Sequence, residues 1–249
     1  MTYRVLLIDA DDTVFDFRRA ERLALGAMLQ ARRLPVTPEV QDFYTMTNLK
    51  LWKQLERGQK SRDAILTERF TALIDYIRRE SAWHPEWNLA GRDWAAESGD
   101  LLNRLYLDAL ARQPSLLPQV EEILPLLAAR CRLYLITNGV TRVQRGRLML
   151  SPVAQYFQGI FISEELGVDK PDPLFFQRTL AAIGPVDPAD ILVVGDSLSA
   201  DIRGAVNAGL DSVWMNFAKR ELPTDCPQPT FIVSSWRELA ALIAGADAL

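Results

Sequence analysis

Apolar side chains run unbroken from Val5 to Ile8 and stop at Asp9. A run this short, ended by acids, predicts a short buried strand over 3–9. From about residue 18 to 115 the period changes. "RRAERLALGAMLQARRL", "EVQDFYTMTNLKLWKQLERG", "SRDAILTERFTALIDYIRRES" and "RDWAAESGDLLNRLYLDALARQ" carry helical spacing, with no strand pattern between them. After Pro118 helices and strands alternate. A helix over 119–130 precedes the strand "RLYLIT" at 132–137, and a helix from about Thr141 precedes a short strand at 159–163. A helix over 173–183 precedes "DILVVGD" at 190–196, and one over about 199–208, stopped by Gly209, precedes "SVWMN" at 212–216. "TFIVSS" adds a last strand before a C-terminal helix.

This alternation predicts an α/β fold: a doubly wound, mostly parallel sheet with helices on both faces. The all-helical stretch then reads as an insertion after the first strand, giving a core domain from 1–17 and 116–249 and a cap from 18–115. The crossings near 16–19 and 114–118 are the expected hinges, the second stiffened by Pro114 and Pro118. No repeat or low-complexity tract is present, and "ELPTDCPQPT" at 221–230 reads as a loop.

Composition narrows the chemistry. The chain has 249 residues, 49% hydrophobic and 24% charged, enough for a sizeable core. A formal net charge of −4 argues against a nucleic acid polymer or an acidic membrane as partner. Arg142, Arg145 and Arg147 read as a solvated helix face. Cys131 and Cys226 lie far apart without metal-ligand spacing, which fits a reducing cytosol. The N-terminal apolar run is too short for a secretory signal, and no stretch approaches the roughly 18 apolar residues of a membrane helix. A cytoplasmic enzyme is the expectation. His84, the one histidine, sits in "SAWHPEW" and reads as a loop or packing residue, so catalysis falls to carboxylates.

Three strand ends carry unusual polar groups: Asp9-Ala10-Asp11-Asp12-Thr13, Thr137-Asn138-Gly139, and Gly195-Asp196 with Asp201 five residues on. Lys170-Pro171 precedes a helix that Asp172 can cap and Pro173 can start. Each has an ordinary reading alone: a turn, an Asn-Gly hairpin, a solvated lysine, a capped helix. Together they occupy the edge where ligands of open α/β sheets bind.

On these residues the chain resembles the haloacid dehalogenase superfamily. The resemblance covers D-x-D-x-T at 9–13, Thr137, Lys170, G-D-x-x-x-x-D at 195–201 and the position of the helical insert. It implies that Asp9 is a nucleophile forming an aspartyl-phosphate, and that Asp11 serves as general acid and then base. It further implies that Asp9, Asp196 and the backbone carbonyl of Asp11 hold one Mg²⁺, with Asp201 as a further ligand, either direct or acting through a group that touches the ion. Thr137 and Lys170 would donate to phosphoryl oxygens, and Asn138 would add polar contacts nearby. Asp12 departs from the glycine of many members. Members that displace halide lack an acid at position 11, so Asp11 favours phosphoryl transfer.

A finer resemblance, carried by "DADDTVFDF", "FYTMTNLKLWKQLERG" and "LTERF", is to the pyrimidine 5′-nucleotidase type. It implies a small phosphomonoester substrate, above all a nucleoside 5′-monophosphate, and a monomer or homodimer. Phe17, Tyr44 and Trp52 are then candidates to stack on a base, the alternative being burial in the cap's own core. A lid that opens and closes suits both halves of such a reaction. Phosphoglycolate, sugar phosphates, a phosphomutase and a binding protein without turnover are the other readings. The last would ordinarily have lost an Asp equivalent to 9, 11 or 196, and all three are present.

Overall fold

The computed structural model describes residues 3–245. The chain divides into two compact units, Met1–Phe17 with Pro114–Leu249, and Arg18–Gln113.

In the first unit β1 (Val5–Asp9) lies at the centre of a six-stranded sheet. The second unit follows in sequence with α1 (Phe17–Ala31), α2 (Pro38–Glu56), α3 (Arg62–Glu80) and α4 (Gly99–Leu110). The chain then runs through α5 (Val120–Ala128), β2 (Arg132–Thr137), α6 (Thr141–Leu150), β3 (Phe157–Ile162), α7 (Ser163–Leu166) and α8 (Pro173–Ile183). It closes with β4 (Ile191–Gly195), α9 (Arg203–Ala208), β5 (Asp211–Met215), β6 (Phe231–Val233) and α10 (Trp236–Ala244).

The strand order is β3-β2-β1-β4-β5-β6, and every pairing is parallel. From β1 the chain winds outward in one direction through β2 and β3, then returns to β4 on the other side. That reversal opens a crevice at the carboxyl ends of β1 and β4. Register carries it to the residue: Asp9 pairs with Ile136, and Ile8 with Val194, so Asp9, Thr137 and Gly195 end their strands close to one level.

Two-residue periodicity sorts each strand between two cores. Leu6, Ile8, Leu133, Leu135, Leu192 and Val194 pack with α5 and with Trp236, Leu239 and Ile243 of α10. Val5, Leu7, Ile136, Ile191 and Val193 pack with Phe175, Phe176 and Ile183 of α8 and Ala205 of α9. Covering both faces explains why β1 and β4 read as continuous apolar runs. The strands run one or two residues off the pattern-based expectation at their ends. A five-residue π-helical turn at Leu198–Ile202 precedes α9, where one continuous helix was expected.

In the helical unit, Thr37, Ser61 and Ser98 cap α2, α3 and α4, each side chain accepting a backbone N–H of the first turn. Its interior holds Val40, Tyr44, Phe70, Leu73, Ile77, Leu102 and Tyr106. A buried polar chain runs through it. Asn48 Nδ2 donates to Glu21 Oε1 at 2.6 Å, Arg69 Nη1 to Asn48 Oδ1 at 3.0 Å, and Arg69 Nη2 to Asn103 Oδ1 at 2.8 Å. Among the described residues no helix is long and apolar enough to cross a membrane.

Candidate active site

Asp9 is the last residue of β1, and its neighbours are built from distant segments. Lys170, 1% exposed, sends Nζ to Asp9 Oδ1 at 2.6 Å and to Asp201 Oδ1 at 2.6 Å. Asp9, Asp196 and Asp201 each offer an oxygen, all within 4.8 Å of one another. Asp201 is drawn in by local chemistry: the Ser197 N–H donates to its Oδ2 at 3.1 Å. A Cβ at Gly195 would stand 2.2 Å from that same oxygen, so only glycine leaves room for the carboxylate. Trp214 Nε1 donates to the Asp196 carbonyl at 2.9 Å and pins the loop from the neighbouring strand.

Two buried carboxylates, Asp9 and Asp201, and the half-buried Asp196 share one lysine and carry excess negative charge. Burial, then Asp201, pushes the Asp9 carboxyl up to about 8, against the pull of Lys170. Asp196 is raised well above the carboxylate range by desolvation and by Asp9 and Asp201. Burial opposes the charge on Lys170, but Asp201 and Asp9 outweigh it and hold the ammonium above its ordinary value. A hard divalent cation fits this set, because all the donors are oxygens and their repulsion relaxes once a cation sits among them. Both Asp201 oxygens already accept hydrogen bonds, so Asp9 and Asp196 are the freer donors.

Thr137 ends β2, buried, with its Oγ1 accepting the Gly139 N–H at 3.0 Å. Asn138 makes its polar contacts with the backbone of Lys170. Its Nδ2 donates to the Lys170 carbonyl at 2.8 Å and its Oδ1 accepts the Lys170 N–H at 2.8 Å. The amide clasps the lysine's peptide at both ends, so Asn138 positions Lys170. Asp172 caps α8 as its pattern implies, accepting the Leu174 N–H at 2.9 Å. Asp12 adopts φ 57, a left-handed backbone that favours glycine and that an aspartate tolerates.

The largest correction concerns α6. Arg145 does lie on the surface, paired with Glu165. Arg147 does not: it is fully buried, ion-paired through Nη1 to Asp11 Oδ1, with its guanidinium carbon 4.4 Å above the Phe15 ring. Gln144, also buried, donates from Nε2 to Asp11 Oδ2 at 2.6 Å. Neither residue is visible as functional in the sequence. The one available signal is that the buried stripe of α6 is Val143, Gln144 and Arg147, too polar for a face that only packs.

Tyr44 is also corrected. Its ring is fully buried, with centroids 5.0 Å from Phe70 and 5.5 Å from Tyr106, so it belongs to the cap's core and presents no face to a base. Phe17 and Trp52 are half-buried. His84 stacks on Trp87 at 4.4 Å and pairs with Glu86, a loop residue as expected.

Comparison with known proteins aligns residues 3–209 with the family described as haloacid dehalogenase-like hydrolase. The chain is 35% identical to pyrimidine 5′-nucleotidase PynA of Streptococcus pneumoniae, over 96% of this chain and 94% of that one. It is 31% identical to pyrimidine 5′-nucleotidase YjjG of Escherichia coli, over 98% and 99%. A crystal structure of the HAD-hydrolase YfnB from Bacillus subtilis, bound to magnesium and described as revealing interdomain movement, superposes with a TM-score of 0.86. The identity there is 32%, over 98% of this chain and 99% of that one.

Proposed function

The chain belongs to the haloacid dehalogenase-like hydrolases, and from that premise we propose that it is a Mg²⁺-dependent phosphatase of small phosphomonoesters, with a nucleoside 5′-monophosphate as substrate. One observation carries the reaction class: two separate carboxylates stand at the carboxyl end of β1, Asp9 against Lys170 and Asp11 against Arg147. Phosphoryl transfer to a carboxylate needs a nucleophile and a proton carrier at the same phosphorus, whereas halide departure needs no proton.

The roles follow from the chemistry of the groups. A divalent cation held by Asp9, Asp196 and the Asp11 carbonyl, with Asp201 behind, would screen the repulsion between a carboxylate and a phosphate dianion. Lys170 pulls Asp9 towards its ionised form, as a cation beside it would, and anchors it through Oδ1, leaving its other oxygen to attack phosphorus. As the Asp9 O–P bond forms and the ester O–P bond breaks, Asp11 gives its proton to the departing alkoxide. Asp11 then takes a proton from the water that attacks the aspartyl-phosphate, releasing inorganic phosphate and restoring Asp9. Lys170 and the Thr137 hydroxyl stabilise the charge gathering on the phosphoryl oxygens. Asn138 acts at one remove by fixing the lysine's backbone.

The nucleotide assignment is supported by PynA and YjjG, whose matches run nearly the full length of both chains. The helical unit is the part assigned to substrate choice, with Trp52 and Phe17 its remaining aromatic candidates. Phosphate release from a panel of nucleoside, sugar and glycolate monophosphates, with and without Mg²⁺, tests the reading. Turnover that survives both EDTA and Asp9→Asn would defeat the mechanism, and preference for a sugar phosphate would replace the substrate.

A further inference from the structure

We propose that Gln144 and Arg147 are positioning residues for Asp11, holding its carboxylate in the orientation from which it moves the proton; the inference rests on the phosphatase reading above. The two lie three residues apart on α6 and so share one face. Each holds a different oxygen of Asp11: Gln144 Nε2 donates to Oδ2 at 2.6 Å, and Arg147 Nη1 pairs with Oδ1. Two donors anchored on separate side chains remove rotation of the carboxylate. Each oxygen keeps a second lone pair, so the grip leaves Asp11 able to carry and release a proton.

The surroundings are built for this grip. Arg147 rests on the ring of Phe15, four residues beyond Asp11 in the same loop, so the loop that carries the acid also seats its partner. The Gln144 carboxamide reaches Asp11 by crossing directly over Gly139, where a Cβ would stand 2.1 Å from Nε2. The glycine after Thr137-Asn138 is therefore required by the path of a side chain five residues on. Burying an arginine and a glutamine on the inner stripe of α6 is unfavourable unless they are partnered, and this carboxylate partners both. The arrangement also divides the charges. Lys170 serves Asp9 and Asp201, while Arg147 serves Asp11, keeping the proton carrier out of the carboxylate cluster.

Leaving-group dependence tests positioning apart from folding. A nucleoside monophosphate departs as an alkoxide that needs a proton, whereas p-nitrophenyl phosphate departs as a stable phenolate. First-turnover rates on both substrates are compared for wild type, Gln144→Leu, Gly139→Ala, Arg147→Met and Arg147→Lys, with a thermal melt of each. The expected result is a loss of about 10²-fold on the alkyl ester, in the range of general acid catalysis, with KM moved less than about threefold and the aryl ester nearly unaffected. Arg147→Lys should recover part of the loss. The ratio of the two rates does not depend on the folded fraction, so a merely structural role leaves it unchanged. Equal losses on both esters, or none, overturn the inference. If Arg147→Met does not fold, Gln144→Leu and Gly139→Ala give the same readout. A wild-type protein that releases no phosphate from either ester, or one as active with Asp9→Asn, overturns the parent reading instead and this inference with it.

Discussion

Replacing Lys170 with methionine tests the electrostatics of the site directly. The ammonium sits 2.6 Å from an oxygen of both Asp9 and Asp201, and it is 1% exposed. Methionine keeps most of the stem and removes the charge. Two carboxylates whose ligand oxygens lie within 4.8 Å then face each other without a cation. At an effective dielectric near 20 that repulsion is worth about 3 kcal/mol, similar to the roughly 3–5 kcal/mol lost when one partner of a buried ion pair is removed. Proton uptake limits the loss. Asp9 already stands at about 8, far above its ordinary value, so without the lysine the folded state holds the proton to still higher pH. A carboxyl raised in the folded state binds more protons folded than unfolded, so stability falls as pH rises towards the folded value.

The deficit of Lys170→Met should therefore be larger at pH 9 than at pH 7. In melting temperature it amounts to roughly 2–4 °C per kcal/mol for a chain of this size. Thermal unfolding of wild type and variant at both pH values measures it. The double variant Lys170→Met/Asp201→Asn, which removes the repulsion as well, should regain much of the loss. Equal stability of Lys170→Met and wild type at pH 9 without added metal would refute the reading of Lys170 as the counterion of a crowded site. So would a double variant no better than the single one.

Three other outcomes are expected. Gly195→Ala forces a methyl against the Asp201 carboxylate; stability should drop by about 1–3 kcal/mol and the stabilisation by added Mg²⁺ seen in a thermal melt should shrink. Glu97 is pushed up by burial, but hydrogen bonds from Arg32 and Arg92 outweigh this and hold it below its ordinary value. Its contribution is present above about pH 4.5 and lost as pH falls further, so an acid titration of unfolding should show a steeper decline for wild type than for Glu97→Gln, and a Glu97→Gln as acid-sensitive as wild type would contradict it. Arg69→Met removes the donor that links Asn48 to Asn103 between Tyr106 and Phe70, and should cost about 3 kcal/mol in unfolding while leaving Mg²⁺ binding by the core unit intact, read by calorimetry.

Much of the fold is legible in local pattern. β1 and β4 are buried on both faces, and such strands must be apolar at every position, so the runs 5–8 and 191–194 announce themselves. The helical stretch shows because its apolar residues recur every three or four. Asp9, Thr137 and Asp196 stand out because a polar residue directly after a buried strand has few reasons to be there, and parallel strands carry all such ends to one edge. Gly195 and Asp201 are readable as a motif, but their joint reason, a carboxylate folded back over the place of a missing Cβ, appears only in three dimensions.

The primary structure by itself determined the order of elements, the helical insert and the carboxylates that gather at the strand ends, since each of these follows from spacing along a few consecutive residues. It did not determine that Asn138 turns to the Lys170 peptide, that Tyr44 is enclosed by Phe70 and Tyr106, or that Arg147 leaves the surface for Asp11. Those outcomes depend on which face of a helix or end of an amide meets a segment remote in sequence. Asp11 and Arg147 are 136 residues apart, and a charge on a ten-residue helix looks the same in the chain whether water or a buried carboxylate will be its partner. Only the packing of α6 against the loop after β1 chooses between them.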